Sequence, residues 1–282
     1  MVRYREKGMQ ALFLLCACTS IFAVGLICIF LFAGGFPAFQ KIGLFSFLGG
    51  TVWKPGEGIF GILPMILGSF YVTAGAILLG VPMGLFTAVF LAYFCPKKLY
   101  RILKPAVNLL AGIPSVIYGF FALVLIVPLV RNVFGGRGSS ILTGSLLLAF
   151  MILPTVISVI EAAVQAVPKT YYEGGLALGA TKERSLFFAL LPGARSGILA
   201  GIVLGIGRAV GETMAVLMVV GNQARIPGSL LDGVRTLTTN IVLEMGYASG
   251  LHREALIATA VVLFVFILLI NLSFSAFNRR GK

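Results

Sequence analysis

Long apolar segments alternate with short polar and basic segments along the whole chain. A bilayer-spanning helix needs roughly 20 predominantly apolar residues, and six segments meet that requirement. Only helices and closed barrels satisfy their backbone hydrogen bonds inside lipid. The pattern therefore predicts an all-α membrane protein with six transmembrane helices, at about 11–33, 60–94, 105–130, 140–163, 196–220 and 254–277.

The first apolar segment is too long for the hydrophobic region of a cleaved signal peptide, so we expect a retained span. We divide the chain into two parts. Residues 1–58 hold the first transmembrane helix and an external connecting segment, and residues 59–282 hold a core of five transmembrane helices with a cytoplasmic loop at about 164–195.

Composition excludes a soluble domain. Hydrophobic residues make up 59% of the chain and charged residues 11%, with a mean hydropathy of +1.04, whereas a soluble domain carries roughly 25% charged residues. The formal net charge is +13. The cations lie mostly in short segments beside the apolar ones, which indicates membrane topology and contact with lipid headgroups, and no nucleic-acid partner.

The distribution of Lys and Arg predicts the orientation. Cytoplasmic segments carry an excess of both residues, and an N-terminus inside gives the inner segments about twice as many as the outer ones. Both termini are therefore expected in the cytoplasm. The terminal cations in this count are Arg3, Arg5, Lys7, Arg279, Arg280 and Lys282.

No metal or catalytic site is predicted. The four cysteines form no CxxC pair, and His252 is the only histidine, so the sequence supports neither a zinc site nor a disulfide framework. The phosphate-binding motif GxxxxGK[ST] is missing. We expect no enzyme and no cofactor in this chain, so any ATP would be bound elsewhere.

Two opposite charges, Arg208 and Glu212, lie near the centre of the fifth segment, in GIGRAVGETMAV. A spacing of four residues places both side chains on one helix face. A charge at mid-bilayer costs at least about 2.5 kcal/mol and faces a protein interior or a watery path. The two charges either neutralise each other and hold neighbouring helices, or they contact a passing solute.

An arginine fork matches a tetrahedral oxyanion with two parallel hydrogen bonds. A neighbouring carboxylate accepts a hydrogen bond only from an anion that still carries a proton, as phosphate does near neutral pH and sulfate does not. The pair thus gives a physical route to phosphate selectivity. Ser115, Tyr118 and Thr213 are weaker candidates for neutral contacts in the pathway, and Asn222 and Asn240 weaker still.

The same segment carries Gly197, Gly201 and Gly205 at four-residue spacing. Small residues at this spacing permit close contact between membrane helices. We therefore expect the inner half of the fifth helix to pack tightly.

The inner loop at about 164–195 is amphipathic and charged. Its pattern predicts two short helices joined at Gly179-Ala180 and bracketed by Pro168 and Pro192. A second chain that supplies energy would dock here.

This loop resembles the cytoplasmic EAA signature of ABC importer permeases, E-A-A-x-x-x-G-x9-I-x-L-P. Glu173, Gly179 and the Leu191-Pro192 pair keep the offsets of the pattern, with glycines at 174 and 175 and Ala189 as mild departures. The segments AGIPSVIYGFFAL, LALGAT and GIGRAVGETMAVLMVVGN resemble the phosphate-specific permeases of bacterial importers, and GETMAV resembles their PstC type.

The resemblance implies a MetI-like permease bundle in a bacterial or archaeal inner membrane that works by alternating access. It implies a PstA-type second permease subunit as heterodimer partner, two cytoplasmic ATPase subunits that bind ATP and Mg, and an extracytoplasmic phosphate-binding protein. Coupling to the ATPase would fall to Glu173, Gly175, Gly179 and Ala180.

Two other functions stay open. The chain could belong to a permease for another oxyanion, such as sulfate or molybdate. It could also be a membrane scaffold or sensor that docks an ATPase without conducting solute.

Overall fold

The computed structural model describes residues 2–279, and within this range it leaves the side chains of residues 2–5, 7, 275 and 277–279 undescribed. The six terminal cations on which the predicted orientation partly depends lie outside the described side chains. The cytoplasmic placement of both termini therefore stays a prediction, as does the division of the chain at residue 58.

The first part of the chain is helical apart from a small hairpin. A short 3-10 turn, Pro55–Glu57, joins the two antiparallel strands of that hairpin. The elements are α1 (Val2–Ile42), α2 (Leu44–Gly49), β1 (Trp53–Lys54), β2 (Ile59–Phe60), α3 (Leu63–Val89, continued by a π-helical turn at Phe90–Phe94) and α4 (Lys97–Gly112).

The second part contains the remaining helices. These are α5 (Ser115–Phe121, continued by a π-helical turn at Ala122–Ile126), α6 (Val127–Phe134), α7 (Ile141–Gln165), α8 (Lys169–Ala177), α9 (Lys182–Ser185, continued by a π-helical turn at Leu186–Leu190), α10 (Leu191–Gly193), α11 (Arg195–Gly211), α12 (Met214–Val219), α13 (Leu237–Glu244) and α14 (Gly250–Arg279).

Within the described residues, five helices are long and apolar enough to cross a membrane. A sixth candidate is a pair of helices, Lys182–Gly193 and Arg195–Gly211, bent by 74°. The all-α membrane class is confirmed. The five helices are Gly8–Ile42, Leu63–Phe94, Ser115–Phe134, Ile141–Gln165 and Gly250–Phe274.

The predicted bounds of the third span, 105–130, are wrong. The chain breaks at Ile113, whose ψ of 127° is extended, and the spanning helix begins only at Ser115. The cause is Pro114, because a proline disfavours helical backbone at the residue before it. The residues before the break form α4, a separate amphipathic helix.

The fold is organised around α7, the most buried of the candidate spans. It packs against both α3 and α11. Close approach depends on glycine: a Cβ at Gly80 or Gly84 of α3 would come within 3 Å of Ile152 or Val156. A second core joins the end of α1, α2, the start of α3 and α14, with Phe47, Met65 and Leu256 fully or almost fully buried.

Candidate functional site

The fifth predicted span contains a break at its centre. The helix α11 ends at Gly211, Glu212 has an extended ψ of 131°, and the chain turns helical again only at Met214. The prediction that Arg208 and Glu212 share one face of a continuous helix is therefore wrong. The two residues lie on either side of a helix terminus.

Glu212 is stabilised in this non-helical position by two partners. Its carboxylate Oε1 accepts a hydrogen bond from the backbone N–H of Ala215 at 3.2 Å, which places negative charge at the start of α12. Its carbonyl oxygen accepts from the Thr238 hydroxyl at 3.1 Å. These bonds replace those that a continuous helix would make.

Arg208 is half-buried and anchored to α7. One of its terminal guanidinium nitrogens donates to Thr155 Oγ1 at 3.1 Å. A guanidinium has five N–H donors, and among the described residues only this bond engages them. No ion pair joins Arg208 to Glu212. The two charges therefore do not neutralise each other by direct contact.

The glycines of α11 divide it into a packed face and an open face. A Cβ at Gly201 or Gly205 would lie 2.8 Å from a side-chain carbon of α7, and one at Gly197 would collide with Ala163. A Cβ at Gly207 or Gly211 would meet nothing within 4 Å. The α11 helix therefore has an open side at Gly207 and Gly211, and Arg208 extends from its packed side towards Thr155 of α7.

The structure brings Tyr118 close to this region and leaves the other hydroxyl candidates in local roles. The adjacent Gly119 packs against Ala215 of α12, just beyond the break, and the Tyr118 hydroxyl donates to the carbonyl oxygen of Leu110 at 2.9 Å. The Thr213 hydroxyl donates to the carbonyl of Gly211 at 3.2 Å. Ser115 is the first residue of α5.

Asn222 and Asn240 have structural partners. The Asn222 amide donates to the carbonyl of Leu217 at 2.7 Å, and the Asn240 side-chain oxygen accepts from Arg235 at 3.1 Å. Both belong to the segment between α12 and α14.

The inner loop forms the two predicted short helices, α8 and α9. Gly179 joins them in the left-handed region, with a φ of +81°, where a residue with a Cβ is strained. Thr181 caps α9 by accepting a hydrogen bond from the backbone N–H of Arg184. Gly175 allows close packing, since a Cβ there would lie 2.6 Å from the Ser185 hydroxyl.

The corner between α8 and α9 is exposed. Glu173 and Gly179 lie on its surface, Ala180 is half-buried, and the Leu178 side chain is 90% exposed. Sequence reasoning did not single out this exposed apolar side chain.

Sequence reasoning also missed a buried carboxylate near the C-terminal end of α7. Glu161 is 2% exposed, and it accepts hydrogen bonds from Lys104 Nζ at 2.7 Å and from the Tyr100 hydroxyl at 2.8 Å. The hydrogen bond to Glu161 raises the pKa of Tyr100, so the phenol remains a donor. A glutamate inside a predicted span could have indicated a buried, paired charge. Its partners on α4 lie about 60 positions away in the sequence, so the sequence alone did not show them.

A second missed carboxylate, Glu244, organises the segment before α14. It accepts hydrogen bonds from the Trp53 indole at 2.9 Å and from Arg235 at 2.6 Å, and it lies 2.8 Å from the Nε2 atom of His252. Glu244 is 7% exposed. It therefore ties the β-hairpin, α13 and α14 together.

Comparison with known proteins places these features in a family. Residues 80–282 match the family described as "Binding-protein-dependent transport system inner membrane component". The chain belongs to that family. It is a multi-pass inner-membrane permease, as its resemblance to importer permeases predicted.

Curated relatives cover most of the chain. It is 39% identical to the "Probable ABC transporter permease protein YqgH" of Bacillus subtilis over 91% of this chain and 86% of the relative. It is 37% identical to the "Phosphate transport system permease protein PstC" of Mesorhizobium japonicum over 88% of this chain and 82% of the relative.

Solved permease structures share the fold at low sequence identity. A bacterial alginate ABC transporter chain superposes with a TM-score of 0.63 at 17% identity, over 94% of each chain. A chain of the MetNI methionine ABC transporter in an inward-facing conformation superposes with a TM-score of 0.62 at 22% identity, over 82% of this chain and 100% of the other. The MetI-like permease fold is thereby confirmed.

Proposed function

We propose that this chain is the PstC-type permease subunit of an ATP-driven phosphate importer and forms half of its translocation pathway. Relatives named as phosphate transport permeases support the substrate. The observation that carries the mechanism is the half-buried Arg208, held by Thr155 beside an open helix face.

Arg208 would bind the anion. Its hydrogen bond to Thr155 leaves the other guanidinium donors available, and a planar fork holds two oxygens of a tetrahedral oxyanion at once. Gly207 and Gly211 leave space beside it. The hydrogen bond to Thr155 holds the guanidinium in place, and because Thr155 is neutral the positive charge of Arg208 stays available to an anion.

Glu212 would select a protonated anion. Its Oε1 atom is engaged by the backbone of Ala215, whereas Oε2 has no hydrogen-bond donor among the described residues. An ionised carboxylate oxygen only accepts hydrogen bonds, so Oε2 suits a phosphate that carries a proton and repels a fully ionised sulfate or molybdate.

The remaining parts of the complex follow from the family resemblance. A PstA-type second permease subunit would cover the open face of α11 and complete the pathway. Two cytoplasmic ATPase subunits, which bind ATP and Mg, would receive the corner formed by Glu173, Gly175, Leu178, Gly179 and Ala180. An extracytoplasmic phosphate-binding protein would deliver the anion. Rigid-body movement of the helices would then give alternating access.

Reconstitution of the complete complex in proteoliposomes tests this function. We expect ATP-dependent uptake of labelled phosphate that excess sulfate or molybdate does not inhibit. Glu212→Gln should reduce discrimination against sulfate, because an amide also donates hydrogen bonds. Preferred uptake of sulfate or molybdate would show that one of these anions, and not phosphate, is the substrate. ATP hydrolysis without uptake of any oxyanion would identify a scaffold or sensor.

A further inference from the structure

The helix α4 lies on the surface of the described chain, with none of its sixteen residues fully buried. It connects the π-helical end of α3 to the break before α5 and carries four cations and several large apolar side chains. A surface helix of this composition needs a second environment for its exposed side chains.

One face of α4 is attached to the rest of the chain. Tyr100, Leu103 and Val107 recur at the three- and four-residue spacing of one helix face, and all three pack against the core around α7. Lys104 lies on the same side and pairs with Glu161 at 2.7 Å. These contacts fix the rotation of α4 about its own axis.

A second face is apolar and unpartnered. Ile102 is 68% exposed and Leu109 is 73% exposed, and Leu99 and Leu110 flank them. By the helical period these residues lie on one continuous side, next to the attached face. Exposed leucine and isoleucine side chains on a membrane protein fit acyl chains.

A third face is basic. Lys97, Lys98 and Arg101 project between the attached face and the apolar face on the other side of the helix, and all three are exposed. Among the described residues none of them pairs with a carboxylate, in contrast to Lys104. Their positive charge is therefore available to an external anion.

We propose that α4 is an interfacial helix that binds anionic phospholipid. Its apolar face enters the acyl-chain boundary, and Lys98 and Arg101 hold lipid phosphate groups at the headgroup level, with Lys97 adding charge. Amphipathic helices with one apolar and one basic side lie in this way at anionic membrane surfaces. The positive charge beside the apolar face favours lipid over another apolar protein surface as the occupant. The inference does not depend on which solute the complex moves.

Competition between lipids on the assembled complex tests the basic face. Native mass spectrometry of the complex, titrated with equal amounts of phosphatidylglycerol and phosphatidylcholine, measures the preference for the anionic lipid. We expect Lys98→Gln/Arg101→Gln to lower this preference at least about fivefold, given the contribution of each basic residue near an anionic surface. The matched control, Arg131→Gln/Arg137→Gln, removes two exposed cations, one in the last turn of α6 and one just after that helix, and should change the preference much less. Equal effects of the two double variants would overturn the proposal.

A photoreactive residue at position 102 tests the apolar face without any change of charge. Benzoylphenylalanine in place of Ile102, in the complex embedded in nanodiscs, should cross-link to phospholipid. Cross-linking to the second permease subunit or to an ATPase instead would show that protein covers this face and would overturn the lipid assignment. This measurement still decides the question if the double variant fails to assemble.

Discussion

Arg208 on α11 and Thr155 on α7 are joined by a hydrogen bond of 3.1 Å across 53 positions of the sequence. The bond lies on the side of α11 that packs against α7, roughly 100° around the helix from the open position at Gly207. It also connects the fifth-span break to the most buried helix of the fold.

We expect Arg208→Lys to reduce ATP-dependent phosphate uptake at least about tenfold while the complex still assembles. Lysine keeps the charge but loses the planar fork, and a hydrogen bond to a charged group contributes about 1.5–3 kcal/mol. Uptake in proteoliposomes and gel filtration of the complex check both parts. Thr155→Val should reduce uptake less, because it removes only the anchor. Normal uptake by Arg208→Lys would remove this residue from the mechanism.

The two faces of α11 predict opposite effects of the same substitution. Gly201→Ala should lower the thermal unfolding temperature, because the new Cβ lies 2.8 Å from the buried Ile160, and overpacking costs about 1–3 kcal/mol. Gly207→Ala should leave stability unchanged or raise it slightly. Both changes bring the same gain in helix propensity of up to about 1 kcal/mol. The difference between the unfolding temperatures of the two variants therefore measures the effect of packing alone. Equal unfolding temperatures would contradict the tight contact with α7.

The corner between α8 and α9 gives a prediction about coupling. Gly179→Ala forces a Cβ into a left-handed conformation at a cost of roughly 1–2 kcal/mol, so the corner should change shape. We expect phosphate uptake per ATP hydrolysed to fall several-fold. The control is Gly174→Ala, which introduces the alanine of the family signature at a position where a Cβ meets nothing within 4 Å. If Gly179→Ala left phosphate uptake per ATP hydrolysed unchanged, the shape of the corner between α8 and α9 would not matter for coupling.

The cluster around Glu244 should contribute strongly to stability. Glu244→Gln removes the negative charge that Arg235 and His252 approach in a nearly buried position, and we expect a loss of about 2 kcal/mol, seen as a lower unfolding temperature. Glu57→Gln breaks an exposed pair with Lys54 and should cost less than about 1 kcal/mol. Comparable shifts for the two variants would mean that the cluster does not hold the β-hairpin against α13 and α14.

The sequence by itself determined the membrane class, the approximate positions of most spans and the shape of the inner loop. These features have local causes. An apolar run of sufficient length must be helical in lipid. Pro168 precedes the first residue of α8, and Gly179 ends the turn after α8 by adopting a positive φ. The break before Ser115 also has a local cause, Pro114, although the predicted span extended across it.

Only the tertiary structure decided the break at Glu212 and the partners of the charged residues. The letters GETMAV contain no proline, and glutamate, methionine and alanine favour helix, so local preference predicts continuity. At the break the Glu212 carbonyl oxygen accepts a hydrogen bond from Thr238, which lies 26 positions later. The bonds of Arg208 to Thr155 and of Glu161 to Lys104 likewise join separate helices. Hydropathy and spacing describe one segment at a time, whereas these interactions exist only after the segments have packed.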